Sequence, residues 1–334
     1  MENCLNHLGD SQKPCKKYAM SNTTKTGTDR TGTSGDPPAQ VAFIFCVEPG
    51  RLESEACLLL QSIRRFGGCL AHAPLYAVQP RGTEPLRPDT LAQFGEAGVI
   101  HCAAKLNVEY ASWPTTNKVY AVAEIERAAT AQILVFVDTD SIVVNQPSEF
   151  HLPMGVDLAV QPTVKQFRGS TGPGDSNDPF WMKCYARCDV PEPDYVFTML
   201  DRVRIRGYYN GGLAVFRRSA GLGQRWLDFL RRIGPITPGE IRYNLDQFAL
   251  AAVAASVQER VHVLPSSYNY NIARREHFMN ETVRNAGWES LVHIHYHNAF
   301  RLPNFLDTVR PPLDQTDERH RWLSRQLPLP PVGV

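Results

Sequence analysis

Apolar runs alternate with segments of helical periodicity from residue 41 onward. Continuous apolar segments predict strands at 41–47, 73–78, 99–102 and 133–137. Apolar residues at helical spacing predict helices around Ile63, over 88–98 and over 115–131. Strands that are apolar throughout and alternate with helices are typical of a sheet covered on both faces. We therefore expect an α/β fold, an αβα sandwich with a mixed, mostly parallel central sheet.

The alternation of apolar strands with helical segments becomes irregular after residue 150 and is regular again from about residue 208. A strand predicted at 158–164 leads into a long loop, RGSTGPGDSNDPFW (168–181). Loops of this length inside a domain are often functional, so this one is a candidate substrate wall or lid. Beyond it, strands are predicted at 208–218, 261–271 and 291–300, and helices at 219–232 and 244–257.

Both ends of the chain differ in composition from the middle. Residues 1–39 are rich in Ser, Thr, Gly and Lys and can bury too little apolar surface to fold, so we predict a disordered tail. Residues 311–334 predict a C-terminal tail with one short helix between proline-rich ends. The folded domain is therefore expected over 40–310.

Overall charge and hydrophobicity exclude some classes of partner. The chain has 334 residues and a net charge of +1, so no basic face for nucleic acid is expected. No apolar run reaches the roughly 18 residues of a transmembrane segment, and the N-terminus lacks a secretory signal. We expect a cytoplasmic protein with free thiols, with peripheral attachment to a membrane left open. Cys184 and Cys188 have a spacing seen in some zinc sites, but two further ligands are missing.

The segment VFVDTDSIV places two carboxylates directly after a buried strand. Asp138 and Asp140 have the same parity and are expected on one face, at the strand end where parallel sheets bind ligands. Carboxylate oxygens suit Mn²⁺ or Mg²⁺, which would offset the cost of the paired charges. The alternative is that two aspartates simply end a strand and open a turn.

A second candidate for metal binding is the segment HIHYH at 293–297. Alternation on a strand would put His293, His295 and His297 on one face. An imidazole added to two carboxylates makes a mixed ligand set that suits Mn²⁺. The alternative is a face of solvated or stacked histidines.

Three other positions carry candidate chemistry, each with a structural alternative. Lys118 lies in the first turn of its predicted helix, where an anion would be stabilised; alternatively it is an exposed lysine. Asn210 precedes two glycines in YYNGG, which also predicts a hairpin turn. Asp246 and Gln247 begin a helix, where Asn244 and Gln247 match a capping box.

Four motifs in order resemble the metal-dependent GT-A glycosyltransferases, most closely their retaining, glycogenin-like and galactosyltransferase-like branch. They are VFVDTDSIV (135–143), YNGGLAVF (209–216), NLDQFAL (244–250) and IHYHNAF (294–300). The resemblance implies a nucleotide-binding half at 40–145 and an acceptor and metal half at 146–310. It also implies transfer of a sugar from a nucleotide-diphosphate sugar, a UDP-hexose above all, to a sugar, lipid or protein acceptor, with retention.

The resemblance also implies roles for individual residues. Metal ligands would be Asp138, Asp140 and His295, with His293 and His297 left open by the same parity. Catalytic candidates are Gln247 near the anomeric carbon, Asp246 on the sugar hydroxyls, and Asn210. Donor contacts would come from Lys118, Asp138, Val47 and Gly212. The Lys-Pro-Trp segment that follows the histidine in the family is replaced by RLPNF, which puts the diphosphate contact from this end in question.

Two other functions match parts of the pattern. A haloacid-dehalogenase-type phosphatase would use Asp138 as nucleophile and Asp140 as general acid, with GDSND (174–178) as a later acidic motif. That nucleophile normally ends the first strand of its domain, whereas α/β pattern precedes it here. A non-catalytic nucleotide-sugar-binding protein would keep the fold without turnover.

Overall fold

The computed structural model describes residues 41–82 and 84–330, so the predicted tail at 1–39 and the last four residues lie outside the described residues. The strands are β1 (Val41–Cys46), β2 (Leu75–Gln79), β3 (Val99–Ala103), β4 (Ile133–Val137), β5 (Ser141–Val143), β6 (Leu158–Pro162), β7 (Tyr195–Phe197), β8 (Arg204–Arg206), β9 (Tyr209–Arg217), β10 (Val261–Val263), β11 (Tyr270–Asn271) and β12 (His293–His295).

The α-helices follow the predicted positions closely in the first half of the chain. They are α1 (Arg51–Phe66), α2 (Pro88–Glu96), α3 (Asn117–Ala128), α4 (Asp178–Cys188), α5 (Leu222–Ile233), α6 (Leu245–Ala255), α7 (Glu281–Arg284), α8 (Phe305–Thr308) and α9 (Glu318–Leu323). None of these helices is long and apolar enough to cross a membrane.

Seven strands form the central sheet in the order β10-β6-β9-β4-β1-β2-β3. β1 pairs in parallel with β2 and β4, and β2 with β3, whereas β9 is antiparallel to both β4 and β6. The predicted mixed, mostly parallel sheet is therefore confirmed. The chain leaves β1 toward β2 on one side and places β4 on the other, which opens a crevice at the carboxyl ends of β1 and β4.

Both faces of this sheet are buried, which explains why its strands read as continuous apolar runs. In β4, Leu134 and Phe136 pack into one core with α3, α5 and α6, while the alternate residues pack into another with α1 and α2. A smaller sheet, β11-β12-β5, carries a third core, against which the C-terminal residues Trp322 and Leu323 are buried.

Some local interpretations of the sequence are wrong. The hairpin alternative at Asn210 does not hold, because Asn210 lies inside β9, within the strand predicted at 208–218. The capping-box alternative at Asn244 does not hold either, because its side chain forms no capping hydrogen bond at the start of α6. The end of the predicted loop is α4, which begins at Asp178. The late strand is only three residues long, because the chain turns at His297 with a φ of 50°.

Candidate metal and donor site

The two aspartates lie in the connection between the central sheet and the smaller sheet. β4 ends at Val137, and the chain reaches β5 only at Ser141. The Asp138 amide donates to the carbonyl of Gly212 (2.8 Å), and the amide of Tyr296 donates to the carbonyl of Asp140 (3.0 Å). Because neither aspartate is part of a strand, their predicted shared face does not exist. Their positions are set by backbone bonds to β9 and to the end of β12.

Asp140 and two histidines form a cluster that can hold a metal ion. Nε2 of His295 lies 2.9 Å from Oδ1 of Asp140, and Nδ1 of His297 lies 3.4 Å from Oδ2. The three ligand atoms all lie within 4.8 Å of one another. His295 is brought here by antiparallel pairing of β12 with β5, where it lies opposite Ser141. One carboxylate and two imidazoles form a mixed oxygen and nitrogen ligand set that can bind a divalent transition-metal ion.

Hydrogen bonds separate the roles of His293 and His295. Nδ1 of His293 accepts the amide of Asn269 (3.2 Å), so its Nε2 carries the proton and faces the Ser141 hydroxyl at 2.9 Å. Both nitrogens of this fully buried ring are used, which makes His293 structural. Nδ1 of His295 lies 3.0 Å from Oδ1 of Asn269 and donates to it. Nε2 of His295 therefore faces Oδ1 of Asp140, and it becomes a metal ligand once its proton is released.

The charges in this cluster reinforce one another. Burial opposes ionisation of Asp140, but the charges and hydrogen bonds of His295 and His297 outweigh it and hold its pKa well below the usual range. Burial lowers the pKa of His295, yet the adjacent Asp140 carboxylate raises it to a net value above normal. Burial lowers the pKa of His293 to about 3, so that ring is neutral. Asp140 is thus an ionised ligand at neutral pH.

Asp138 does not join that cluster but pairs with Lys118. The lysine Nζ lies 2.9 Å from Oδ1 of Asp138, 3.6 Å from Oδ2 of Asp246 and 3.2 Å from the carbonyl of Gly211. Burial disfavours the ammonium, but the two carboxylates outweigh it and raise the pKa of Lys118. The exposed-lysine alternative is wrong: Lys118 is a buried cation that bridges the metal-site loop and the start of α6.

Asp246 and Gln247 face the same region from the first turn of α6. Asp246 is buried, and its Oδ1 has no hydrogen-bond partner within the described chain. Burial raises its pKa to about 6, although Lys118 opposes this. Gln247 is half-buried, and its Cγ lies 3.4 Å from where a Cβ on Gly211 would be. The first turn of α6 thus brings a buried carboxylate and a half-buried amide side chain together.

Gly212 lies at the centre of the predicted residues. A Cβ on Gly212 would lie 2.8 Å from Oδ2 of Asp138. The same atom would lie 2.9 Å from Oδ1 of Asn210 and 2.9 Å from Cε1 of His295. Oδ1 of Asn210 already accepts the Gly212 amide (2.7 Å), which turns that side chain back onto β9. The missing side chain leaves the space in which the metal ligands and the donor-side residues meet.

A cavity of about 590 Å³ opens at the carboxyl ends of β1, β2 and β3. Glu48, Gln79, Arg81, Lys105 and Asn107 are among its lining residues. The side-chain Nδ2 of Asn117 donates to Oε1 of Glu48 (3.1 Å), and Asn117 directly precedes Lys118. The start of α3 therefore joins this cavity to the Lys118 pair.

Some predicted residues do not reach the site with their side chains. Val47 is fully buried in the sheet core, so only its backbone is available to a ligand. In GDSND, Asp175 accepts bonds from its own loop and Asp178 pairs with Arg206. Cys184 and Cys188 are free thiols buried in the core rather than zinc ligands.

Asn269 and Asn271, which contact the histidines, were missed by the sequence analysis. Nδ2 of Asn271 lies 3.0 Å from Nε2 of His297. Oδ1 of Asn269 lies 3.0 Å from Nδ1 of His295. Their alternation in YNYN (268–271) is the only local signal, and it gains meaning only when β11 is placed beside β12.

Several solved structures of glycosyltransferases have a similar fold. The fold is similar to GlyE from Streptococcus pneumoniae TIGR4, with 13% identity and a TM-score of 0.46 over 85% of this chain and 59% of that one. It is similar to the galactosyltransferase LgtC, with 11% identity and a TM-score of 0.49 over 87% of this chain and 97% of that one. Mouse xyloside xylosyltransferase 1 is also similar, with 13% identity and a TM-score of 0.43 over 77% and 97%.

The chain spans 59% of GlyE and 53% of WbbM, a bifunctional protein of similar fold. No curated protein sequence matches it. Residues 43–258, well over half of the chain, match the family described as the Rhodobacterales glycosyltransferase domain. The chain therefore belongs to this family of glycosyltransferase domains.

Proposed function

We propose that the protein transfers a sugar from a nucleotide-diphosphate sugar to an acceptor hydroxyl with the help of Mn²⁺ or Mg²⁺. A UDP-hexose is the first candidate donor, and the acceptor is a sugar, lipid or protein. The observation that carries this proposal is the Asp140, His295 and His297 cluster, which lies at the carboxyl edge of the sheet in a chain of glycosyltransferase family. That edge is where open α/β sheets bind their ligands.

The ligand set supports a resident divalent cation. Asp140 is ionised, Nε2 of His295 faces it, and Gly212 leaves room beside them. When bound, the ion supplies positive charge that stabilises the departing nucleoside diphosphate. Asp138 is two residues away and is held by Lys118, so we expect it to face the donor together with that lysine.

Two regions beside Lys118 would bind the other two parts of the donor, the nucleoside and the sugar. The 590 Å³ cavity at β1–β3 has the size and mixed polarity of a nucleoside site. Asp246 and Gln247 lie on the opposite side of Lys118 and are assigned to the sugar, with Asn210 beside them. Gln247 beside the anomeric carbon would stabilise an oxocarbenium-like transition state, and transfer with retention is expected from the resemblance.

Of the two alternatives, the phosphatase is set aside because the chain belongs to a glycosyltransferase family. Asp138 is also engaged by Lys118, where a phosphatase nucleophile must be available for attack. The non-catalytic binder is distinguished by experiment, since it would bind the donor without transfer or hydrolysis.

Thermal shift and donor hydrolysis test the proposal. The protein is screened against nucleotide sugars with and without Mn²⁺, and hydrolysis of each donor is followed over long incubation. A rise in melting temperature that needs both Mn²⁺ and one donor is expected, with slow release of nucleoside diphosphate. Both effects should be lost in Asp140→Asn and kept in Asp307→Asn, an exposed aspartate of α8 that does not line the cavity at β1–β3. Stabilisation by no donor would refute the proposal, and stabilisation without turnover would favour the binder.

A further inference from the structure

Two cations in the segments around the metal cluster are already paired with carboxylates. Lys118 is shared between Asp138 and Asp246. Arg301, in the RLPNF segment after the histidines, reaches Oε1 of Glu55 at 2.5 Å, with both side chains buried. Neither charge is available to a second anion without breaking a buried ion pair.

Arg274 is positioned differently, on the 3₁₀ segment that directly follows β11. Its amide donates to Oδ1 of Asn271 (3.1 Å), and Nδ2 of the same asparagine lies 3.0 Å from Nε2 of His297. Asn271 also lies opposite His295 in the pairing of β11 with β12. The backbone of Arg274 is therefore fixed to the two strands that build the metal cluster.

The Arg274 side chain lines a cavity of about 150 Å³ beside this cluster. The other lining residues are Val164, Phe167, Asn210, Asn269, Asn271, His295 and His297. None of them is a carboxylate, and Arg274 forms no ion pair with any residue of the described chain. An exposed guanidinium in a cavity walled by amides and imidazoles favours an anion that also reaches the metal ligands.

The geometry points to Arg274 as the cation that binds the diphosphate of the donor. This inference rests on the proposed function. A planar guanidinium can bind two phosphate oxygens at once. A divalent ion held by Asp140 would add further positive charge. Since negative charge on the diphosphate grows as the sugar leaves, Arg274 would hold the nucleoside diphosphate more strongly than the intact donor. It would touch only the diphosphate, so ligands with one phosphate should depend on it less.

Calorimetric titration of the full chain with UDP and with UMP, each in the presence of Mn²⁺, tests this assignment. Arg274→Gln is expected to weaken UDP binding by about 10- to 100-fold, the range for a lost charge-assisted contact. UMP binding should change by less than about threefold. The UDP affinity of Arg274→Lys should lie between those of the wild type and Arg274→Gln. Lysine keeps the positive charge but lacks the planar, forked set of N–H donors. Arg187→Gln, at an exposed position at the end of α4 outside both cavities, should bind like the wild type.

Melting temperature checks that Arg274→Gln is folded, which we expect for an exposed side chain. Equal UDP affinity in the wild type and Arg274→Gln overturns the assignment while leaving the proposed function intact. An equal loss for UDP and UMP also overturns it, because the diphosphate would not be the group recognised. If wild type binds none of UDP, GDP, CDP and ADP with Mn²⁺, the proposed function fails and this inference fails with it.

Discussion

The Nε2 atom of His295 lies 2.9 Å from Oδ1 of Asp140, although 155 residues separate them in the chain. The contact depends on pairing of β12 with β5, which lies directly after Asp140. It also depends on Asn269, whose Oδ1 accepts Nδ1–H of His295 and so directs the other nitrogen inward. Three separate chain segments therefore have to be folded before this pair can bind a metal.

Replacing Asn269 with alanine should weaken Mn²⁺ binding without removing a ligand. The loss of its hydrogen bond frees the tautomer and orientation of His295, and changes to such supporting partners typically cost about 10- to 100-fold in metal affinity. Titration of Mn²⁺ followed by the electron paramagnetic resonance of the free ion measures this. Asn285→Ala, at an exposed position in the same part of the chain, serves as control. Unchanged affinity in Asn269→Ala would contradict the assigned role.

Lys118→Met should destabilise the fold by about 3–5 kcal/mol, the cost of leaving buried charges unpaired. The lysine side chain is 11% exposed and that of Asp246 is 1% exposed, so water cannot replace the lost partner. Urea unfolding in the absence of metal measures the free energy of unfolding. Adding Asp246→Asn should recover part of the loss, because one unpaired carboxylate is removed. A double variant as unstable as the sum of the two single variants would show that this ion pair does not couple them.

Gly212→Ala should reduce donor hydrolysis more than it reduces stability. The added methyl group would enter the space between Asp138, Asn210 and His295, at distances below 3.0 Å. At least one of these side chains must then move away from the metal and donor region. The matched control is Gly95→Ala in α2, where nothing lies within 4 Å of the new Cβ. That variant should keep its activity and gain about 0.5–1 kcal/mol of stability. Wild-type hydrolysis by Gly212→Ala would contradict the central position of this glycine.

The ion pair between Asp178 and Arg206 predicts a pH-dependent stability. Nε of Arg206 donates to Oδ1 of Asp178 (2.7 Å), and this hydrogen bond holds the pKa of Asp178 below its usual value of 3.8. A lowered carboxyl pKa stabilises the fold above the unfolded value, and this contribution is lost as the pH falls through the folded value. Asp178→Asn should therefore lower the melting temperature clearly at neutral pH. The difference from the wild type should shrink below about pH 4.

Differential scanning calorimetry across this pH range measures the effect. Asp189→Asn is a poor control because Asp189 has a left-handed backbone, whereas Asp307 is exposed at α8 and suits the comparison. A constant difference between wild type and Asp178→Asn at all pH values would show that the carboxylate charge is not what stabilises α4 against β8.

Much of the fold followed from local pattern. The strand predicted at 133–137 has the observed bounds, and α2 and α3 lie within the ranges predicted for them, 88–98 and 115–131. Periodicity is a local property, so it survives without knowledge of the partner segments. The structural alternatives at these positions, a capping box at Asn244 and a hairpin at Asn210, do not hold for the same reason: each is a local preference that the pairing of β9 and the packing of α6 override.

The glycosyltransferase resemblance rested on motif order and is confirmed at the level of the family. The assignment of individual residues stays a prediction, and the structure changes the geometry behind it. Asp138 pairs with Lys118, while Asp140 meets His295 and His297. Strand parity could not reveal this, because the aspartates lie outside any strand.

By itself, the sequence determined the alternation of elements, the burial of both sheet faces and the residue types available for metal and phosphate chemistry. These depend on hydrophobic periodicity and on the donor atoms of each side chain. Only the tertiary structure decided which histidine nitrogen faces Asp140, that Lys118 is buried, and that Arg274 lies beside the cluster. These facts depend on pairings between segments that are distant in the chain, and no local pattern encodes such pairings.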